Sequence, residues 1–224
     1  MSFADAQLEV RGRFTEALQV INRLDSGASH SLTPSTAPDK ALRGLLLVAI
    51  YSAMERGVNA YVEEALAVAT SHSIRVKDCI PEVQAIFHYP RIQSLRDCSE
   101  DNYLSKSIEL FTSLSEDFEF SVSSNPFSFR LQNVDGSTME QCCQFLGVPG
   151  FSIGVMQRGR LNNLRERRNA VSHGRESSVQ VGGRFSYGEI RTMHSIADAE
   201  VEKFGLALKG FFEAKATNAT AHNH

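Results

Sequence analysis

Two long segments of the sequence repeat apolar residues at alternating steps of three and four, the spacing of one face of a helix. The first segment predicts a helix over about residues 39–72, with Asp39 as its N-cap and a stripe of Val48, Tyr51, Val58, Val62 and Ala65. The second predicts a helix from the capping box Ser186 to Glu189 as far as about residue 214, with a stripe of Ile190, Met193, Ala197, Val201, Phe204, Leu208 and Phe211. No segment of comparable length alternates as a strand does. An all-α fold is therefore expected.

Shorter signals complete a predicted up-down helical bundle. A first helix is expected over residues 3–24, with Leu8, Phe14, Leu18, Ile21 and Leu24 on its apolar face. Another is expected over residues 102–120. Ser137 and Glu140 have the spacing of a capping box, which predicts a short helix to about Leu146 that ends at Gly147. A further helix is predicted over residues 159–173, with Gly174 as its stop.

The domain organisation follows from the length of 224 residues, which suits a single domain. The signal is weaker over residues 73–150, where Pro81 and Pro90 are expected to bound short pieces, so this segment is predicted to be a helical insertion. The polar residues 215–224 are expected to form a disordered tail.

Hydropathy and cysteine usage predict a soluble cytoplasmic protein without a membrane partner. The longest apolar run, residues 45–50, is far shorter than the roughly 20 residues of a membrane span. The four cysteines contain no Cys-x-x-Cys pair and have no histidine at zinc-ligand spacing, so reduced thiols are expected. Neither a metal nor another cofactor is expected.

The charge of the chain is unevenly distributed. The formal net charge is −3, yet residues 158–184 contain seven arginines against two acids. Two interpretations remain open for this segment. It is either a solvated arginine-rich helix face or a local patch that attracts phosphate groups.

Two charged residues interrupt apolar helical stripes. Glu55 stands in the stripe of the long helix, and Arg168 stands in the stripe of the helix over 159–173, between Leu164 and Val171. A guanidinium turned toward a core needs an acceptor, so Arg168 and Glu55 are expected to pair across the bundle. The alternative is that one or both side chains reach along the surface into solvent.

Asn169 and His173 lie four residues apart and therefore share a helix face beside Arg168. A lone histidine at a helix C-terminus is more often a cap than a catalyst. An imidazole can transfer protons near neutral pH, however, and the neighbouring Arg168 and Asn169 favour that function.

The segment from Arg168 to His173 reads Arg-Asn-Ala-Val-Ser-His and is followed by Gly174. It resembles the Arg-x4-6-His motif of the HEPN superfamily, in the form with asparagine directly after arginine. Its position also resembles that of the family motif, because it follows a long helix with an embedded acid and precedes a final amphipathic helix. Residues 42–61 and 124–148 are similar to the RiboL-PSP subgroup of bacterial HEPN proteins. The likeness covers most of residues 40–213.

The resemblance implies a metal-independent endoribonuclease that acts as a homodimer, in which two motif helices form a composite active site. The 2′-hydroxyl of the RNA substrate would attack the neighbouring phosphate and leave a 2′,3′-cyclic phosphate. The resemblance makes Arg168, Asn169 and His173 the catalytic residues, with Glu55 as the partner behind Arg168. Candidates for binding further phosphates of the RNA are Arg165, Arg167 and Arg175.

The same resemblance implies a bacterial defence or toxin-antitoxin context, with an antitoxin or regulatory protein as a partner. HEPN toxins that are neutralised by a nucleotidyltransferase resemble Arg-x4-His-x-Tyr, whereas this sequence has Arg175 in place of the tyrosine. Two other functions remain open. One is a catalytically silent HEPN dimer that binds or assembles other molecules, and the other is a helical bundle that binds a small ligand.

Overall fold

The computed structural model describes residues 2–28, 35–71, 75–122 and 125–221. Within these ranges the chain forms eight α-helices, and the only pairing of extended residues is an isolated bridge between Arg75 and Glu119. The helices are α1 (Phe3–Ala28), α2 (Ala37–Ser71), α3 (Pro81–Asp97), α4 (Glu100–Ser115), α5 (Gly136–Phe145), α6 (Val155–Ser172), α7 (Ser178–Gly182) and α8 (Tyr187–Ala221). Short 3-10 turns lie at Val76–Asp78 and Arg130–Gln132. The predicted all-α up-down bundle is confirmed.

Helix α2 is the centre of the bundle. Helices α1, α6, α7 and α8 all pack against it. Its buried residues lie on most of its circumference, as expected of a helix that is surrounded by others. Within the predicted stripe, Tyr51, Val58, Val62 and Ala65 are buried, whereas Val48 is half-buried.

The predicted apolar face is correct for most of helix α8 and partly wrong for helix α1. In α8 the predicted stripe is buried from Ile190 to Leu208. In α1, Phe14 and Ile21 are buried as predicted, but Leu8 is 73% exposed, so its assignment to the core was wrong. The buried face of α1 follows a different helical row, which consists of Phe3, Ala6, Val10, Phe14, Ala17 and Ile21. Leu8 falls outside that row.

The N-terminal cap of α2 is Thr36, and the prediction of Asp39 was wrong. Asp39 lies inside the first turn of the helix. The Thr36 hydroxyl accepts a hydrogen bond from the Asp39 N–H at 3.4 Å, and the Asp39 carboxylate accepts one from the Thr36 N–H at 2.9 Å. The two residues thus satisfy each other's backbone donors as a capping box does. The corresponding box predicted for α8, between Ser186 and Glu189, is confirmed.

Helix α5 is capped by Asp135 and not by the predicted box of Ser137 and Glu140. The Asp135 carboxylate accepts the Thr138 N–H at 2.8 Å. Glu140 instead accepts hydrogen bonds from the Ile153 N–H at 2.8 Å and from the Arg158 guanidinium at 2.7 Å, and so joins α5 to the beginning of α6. Gly147 follows the helix with a φ of +72°, which agrees with its predicted place as a stop.

The segment at 73–150 contains α3, α4 and α5, and its status as an insertion stays a prediction. Helix α3 packs on both α4 and α5. Pro81 begins α3 as expected, but Pro90 lies within that helix and does not end it. The fixed φ of proline is compatible with a helix, and what is lost is the hydrogen bond to the fourth preceding carbonyl. Helix α4 ends at Ser115, before the predicted residue 120.

Helix α7 lies directly on α2 because two glycines allow it. A Cβ atom on Gly182 would overlap the Lys40 carbonyl oxygen, and a Cβ on Gly44 would overlap the Ser178 carbonyl oxygen. Side chains at these positions would separate the two helices. Gly182 is the last residue of this short helix, and Gly183 is its C-cap.

Helix α8 extends to Ala221, past its predicted end near residue 214. The predicted tail at 215–224 therefore overlaps the last turns of α8, and residues 222–224 lie outside the described part of the chain. None of the helices in the described ranges has the length and apolar character needed to cross a membrane.

Candidate active site at the end of helix α6

Arg168 on α6 and Glu55 on α2 form the ion pair that the sequence predicts. Nη2 of Arg168 lies 2.6 Å from Oε2 of Glu55. The two side chains are 19% and 24% exposed, so both are held largely within the bundle. The alternative, in which the two charges simply reach into solvent, is excluded by this contact.

Two further contacts restrain the Arg168 guanidinium. It lies over the Tyr51 ring, 4.5 Å from the ring centre, and its Nη1 donates a hydrogen bond to Oδ1 of Asn169 at 2.8 Å. The guanidinium has five N–H donors, and the bonds to Glu55 and Asn169 use two of them. The remaining donors are available for a ligand that approaches the exposed edge of the group.

The carboxyl of Glu55 is shifted toward its protonated form. Its pKa is raised from the ordinary value of 4.5 because burial disfavours the charged form. The charge of Arg168 and its hydrogen bond lower the pKa, but they do not cancel the effect of burial. The ionised carboxylate is therefore held at a cost in stability, while it serves as the counter-charge of Arg168.

Asn169 connects the motif helix to the loop before α5. Its Nδ2 donates a hydrogen bond to Oδ1 of Asn133 at 3.3 Å. The loop is tied to α2 as well, because the Tyr51 hydroxyl donates to the Val134 carbonyl at 3.2 Å and Asn59 Nδ2 donates to the Leu131 carbonyl at 3.2 Å. Sequence reasoning missed Asn133, since it lies in an irregular segment without periodicity.

His173 is the C-cap of α6, and its backbone N–H donates to the Asn169 carbonyl at 3.1 Å. The side chain is exposed, and its imidazole forms no hydrogen bond or ion pair with any described residue. Gly174 follows with a φ of +66°, which turns the chain away from the helix axis. The imidazole is thus open to solvent at the end of the helix.

The three arginines predicted to bind RNA have different environments. Arg165 forms an ion pair with Asp135, which is 8% exposed and caps α5. Arg167 lies 3.6 Å from the carboxylate of Glu176. Arg175 is exposed and forms no hydrogen bond or ion pair within the described ranges. Of the three, Arg175 has the guanidinium that is most accessible to a phosphate.

The arginine-rich segment at 158–184 is largely neutralised by carboxylates inside the protein. Five of its seven arginines form ion pairs, namely Arg158 with Glu140, Arg165 with Asp135, Arg167 with Glu176, Arg168 with Glu55, and Arg184 with Glu176. The choice between the two interpretations left open by the sequence stays open. The arginines chiefly join α6 to α2, α5 and the chain that follows the motif.

Groups that would coordinate a metal are not brought together in the described ranges. No cluster of three or more His, Cys, Asp or Glu side chains is suited to hold a metal ion there. None of the four cysteines, all of which lie in the described ranges, forms a disulfide, and burial raises the pKa of both Cys142 and Cys143 to about 12. The end of α6 carries an exposed imidazole, and the same helix carries the anchored guanidinium of Arg168.

A comparison with models of protein families gives a match. A family model described as RiboL-PSP-HEPN matches residues 9–209, a range that contains Glu55, Arg168, Asn169 and His173. No curated protein and no solved structure matches the chain.

Proposed function

The chain belongs to the RiboL-PSP-HEPN family, and on this premise we propose that it is an endoribonuclease that cleaves RNA without a metal ion. HEPN domains are commonly ribonucleases, often bind RNA and often dimerise, although the family includes catalytically inactive members. The proposed activity needs a group that transfers protons and a cation that meets the phosphate. His173 and Arg168 are the residues suited to these two functions.

The reaction uses a nucleophile that RNA itself carries. The 2′-oxygen of one nucleotide forms a bond to the adjacent phosphorus, and the bond from phosphorus to the 5′-oxygen of the next nucleotide breaks. The products are a 2′,3′-cyclic phosphate and a 5′-hydroxyl. One proton leaves the 2′-oxygen and another reaches the departing 5′-oxygen, so an acid and a base must both be present.

His173 supplies one of these groups, and we propose that His173 of a second copy of the chain supplies the other. Such a composite site requires a homodimer in which the two α6 ends meet. Arg168 stabilises the negative charge that builds up on the phosphate oxygens, with the N–H donors that Glu55 and Asn169 leave available. Asn169 holds the guanidinium in place through their 2.8 Å hydrogen bond.

One observation supports this function more than any other. Arg168 is fastened by Glu55, Tyr51 and Asn169, and the exposed His173 ends the same helix. A guanidinium held in advance needs no reorganisation when charge develops on the phosphate, which is the main source of electrostatic catalysis. A polar pair that only stabilised the bundle would not require an exposed imidazole at the end of the same helix.

The biological setting that we propose is bacterial defence or a toxin-antitoxin pair, with an antitoxin or regulatory protein as partner. Arg175 occupies the place that tyrosine has in the related Arg-x4-His-x-Tyr motif. Because arginine has no phenol to modify, control would act by a different route from nucleotide transfer to that tyrosine.

The test is incubation of the purified protein with mixed RNA in EDTA. We expect cleavage that survives chelation, products with cyclic-phosphate ends, and loss of cleavage in both His173→Ala and Arg168→Ala. Ser172→Ala is the matched control, because Ser172 is an exposed neighbour in the last turn of α6. It should cleave like the wild type.

Cleavage that disappears in EDTA, or that persists in His173→Ala, would contradict the mechanism. Wild-type protein that binds RNA without cleaving it would instead support the silent binding module.

A further inference from the structure

A groove of about 960 Å³ lies between α3, the segment at 126–133 and α5. Tyr89 contributes to it from α3, and Phe145 from α5. The segment at 126–133 contributes Phe129, Arg130, Gln132 and Asn133. The groove thus combines aromatic rings with side-chain amides and one guanidinium.

Asn133 places the groove directly beside the proposed active site. This residue lines the groove and also accepts the hydrogen bond from Asn169, the neighbour of Arg168 in the motif. The loop that carries Asn133 is fixed to α2 by the Tyr51 and Asn59 hydrogen bonds described above. A ligand with one group at Arg168 could therefore place its next group in the groove.

Phe129 is the aromatic side chain of the groove that is open to a flat ring. Phe129 is 83% exposed, so most of its ring is accessible to a ligand. The Arg130 guanidinium lies over the Phe145 ring at 5.7 Å from its centre, and Phe145 stacks with Phe127. Aromatic rings and guanidinium planes are the surfaces on which unpaired bases of RNA stack.

The charges of the groove favour a base over a run of phosphates. Its lining contains one acidic residue, Glu82, and one basic residue, Arg130, so it has no net charge. The amides of Gln132 and Asn133 offer both donors and acceptors, which are the groups that read the edge of a nucleobase. A groove for the phosphate backbone would instead be lined by several cations.

We propose that this groove binds an unpaired nucleobase of single-stranded RNA, next to the phosphate that Arg168 meets. This inference rests on the proposed function and specifies its substrate class. A base within a duplex is stacked between its neighbours and cannot enter the groove, so single-stranded RNA is selected over double-stranded RNA. Phe129 is the residue that stacks on the base.

The first experiment measures the binding of a short fluorescein-labelled RNA without self-complementarity, by fluorescence anisotropy in EDTA. The parent protein is His173→Ala, so that the RNA remains intact. Adding Phe129→Ala should weaken binding about tenfold, since the loss of one ring on which a base stacks typically weakens binding by roughly 5- to 150-fold. The control is Phe111→Ala, because Phe111 is 68% exposed on α4 and does not line the groove. It should bind like the parent.

A second measurement does not depend on a substitution. RNA that contains 4-thiouridine is irradiated with the His173→Ala protein, and the cross-linked peptides are identified by mass spectrometry. We expect cross-links to residues 126–133 or to the peptide that contains Tyr89. Cross-links found only outside the groove would overturn the proposal, as would equal affinities of the parent and the Phe129→Ala protein.

The outcomes distinguish a failure of the proposed base-binding groove from a failure of the proposed ribonuclease activity. If the wild type cleaves RNA in EDTA but Phe129→Ala does not change binding, the proposed groove is refuted and the proposed ribonuclease activity is not. Binding that depends on Phe129, in a wild-type protein that does not cleave, would uphold the groove and refute the ribonuclease. Absence of both RNA binding and cleavage would refute both.

Discussion

The 2.6 Å contact between Arg168 Nη2 and Glu55 Oε2 fastens the motif end of α6 to the middle of α2. Both residues stand where the helical spacing calls for an apolar side chain. Each charge is acceptable there because the other is present. The pair thereby fixes the guanidinium while leaving its outer edge exposed.

Replacing Glu55 with glutamine should reduce activity more than stability. Arg168 would keep Tyr51 and Asn169 but lose its counter-charge. We expect a change of less than about 1 kcal/mol in the free energy of unfolding, below the roughly 3 kcal/mol of a fully buried pair, because burial already disfavours the ionised carboxylate that glutamine replaces. RNA cleavage should fall about tenfold, which corresponds to about 1.4 kcal/mol in the barrier. Urea denaturation and initial rates measure the two effects.

Glu63→Gln is the matched control for this change. Glu63 lies on α2 as well and pairs with Arg56 at 3.3 Å, but it is exposed and its partner is not a residue of the motif. It should leave both quantities nearly unchanged. Full cleavage by Glu55→Gln would show that Glu55 has only a structural function.

Acidification should stabilise the wild type relative to Glu55→Gln. Because burial raises the pKa of Glu55, the folded protein binds this proton more tightly than the unfolded chain. The stability that protonation contributes is fully present below the ordinary pKa of 4.5 and is lost as the pH rises through the raised value. The difference in free energy of unfolding between wild type and variant should therefore shift in favour of wild type as the pH falls from neutral to 4.5. Urea denaturation at a series of pH values measures this difference. A shift in the opposite direction would mean that Arg168 lowers the pKa of Glu55 by more than burial raises it.

Arg165 and Arg175 should respond differently to replacement by alanine. Arg165→Ala leaves the buried Asp135 without its cation, so we expect a loss of about 2 kcal/mol in the free energy of unfolding. Arg175→Ala should change stability by less than about 0.5 kcal/mol, because the side chain is exposed and unpaired within the described ranges. The second variant should nevertheless weaken RNA binding in EDTA. If Arg165→Ala unfolded like the wild type, its ion pair with Asp135 would not support the fold.

A methyl group at Gly182 should loosen α7 from α2. The new Cβ would meet the Lys40 carbonyl, which belongs to the backbone and cannot rotate away. We expect Gly182→Ala to cost about 2 kcal/mol or more in thermal or urea unfolding. Gly210→Ala provides the control, because a Cβ on Gly210 in α8 has no neighbour within 4 Å and alanine is the better helix former by about 1 kcal/mol. Two variants of equal stability would argue against the close approach.

The Arg168–Glu55 pair could be predicted because each residue interrupts a regular stripe. If two helices face one core and each has a charged residue in its apolar stripe, the two opposite charges are expected to pair. Asn133 and Asp135 could not be found in this way. Their positions depend on bonds from Tyr51, Asn59 and Arg165, which come from distant parts of the chain.

The carboxylate that each arginine contacts could not be predicted from the sequence either. Arg165 and Arg167 carry the same side chain on the same helix as Arg168, yet each binds a different carboxylate, Asp135 or Glu176. Spacing along α6 indicates which face an arginine occupies, but the acceptor belongs to another element whose position only the packed bundle defines. Leu8 shows the same limit for apolar residues, because two rows of α1 contain apolar side chains and only one row meets α2 and α8.

The ion pairs of residues 158–184 also determine how the protein would meet RNA in salt solution. An arginine that already holds a carboxylate displaces few counterions from an RNA strand, so affinity should decline gently with ionic strength. A plot of log Kobs against log salt should have a slope of about −1 to −2, since each phosphate neutralised on a single strand contributes about −0.7. A steep slope would require many free cations. With a gentle slope, long-range electrostatic attraction to cellular RNA would be weak. The protein would then bind only strands that contact the end of α6.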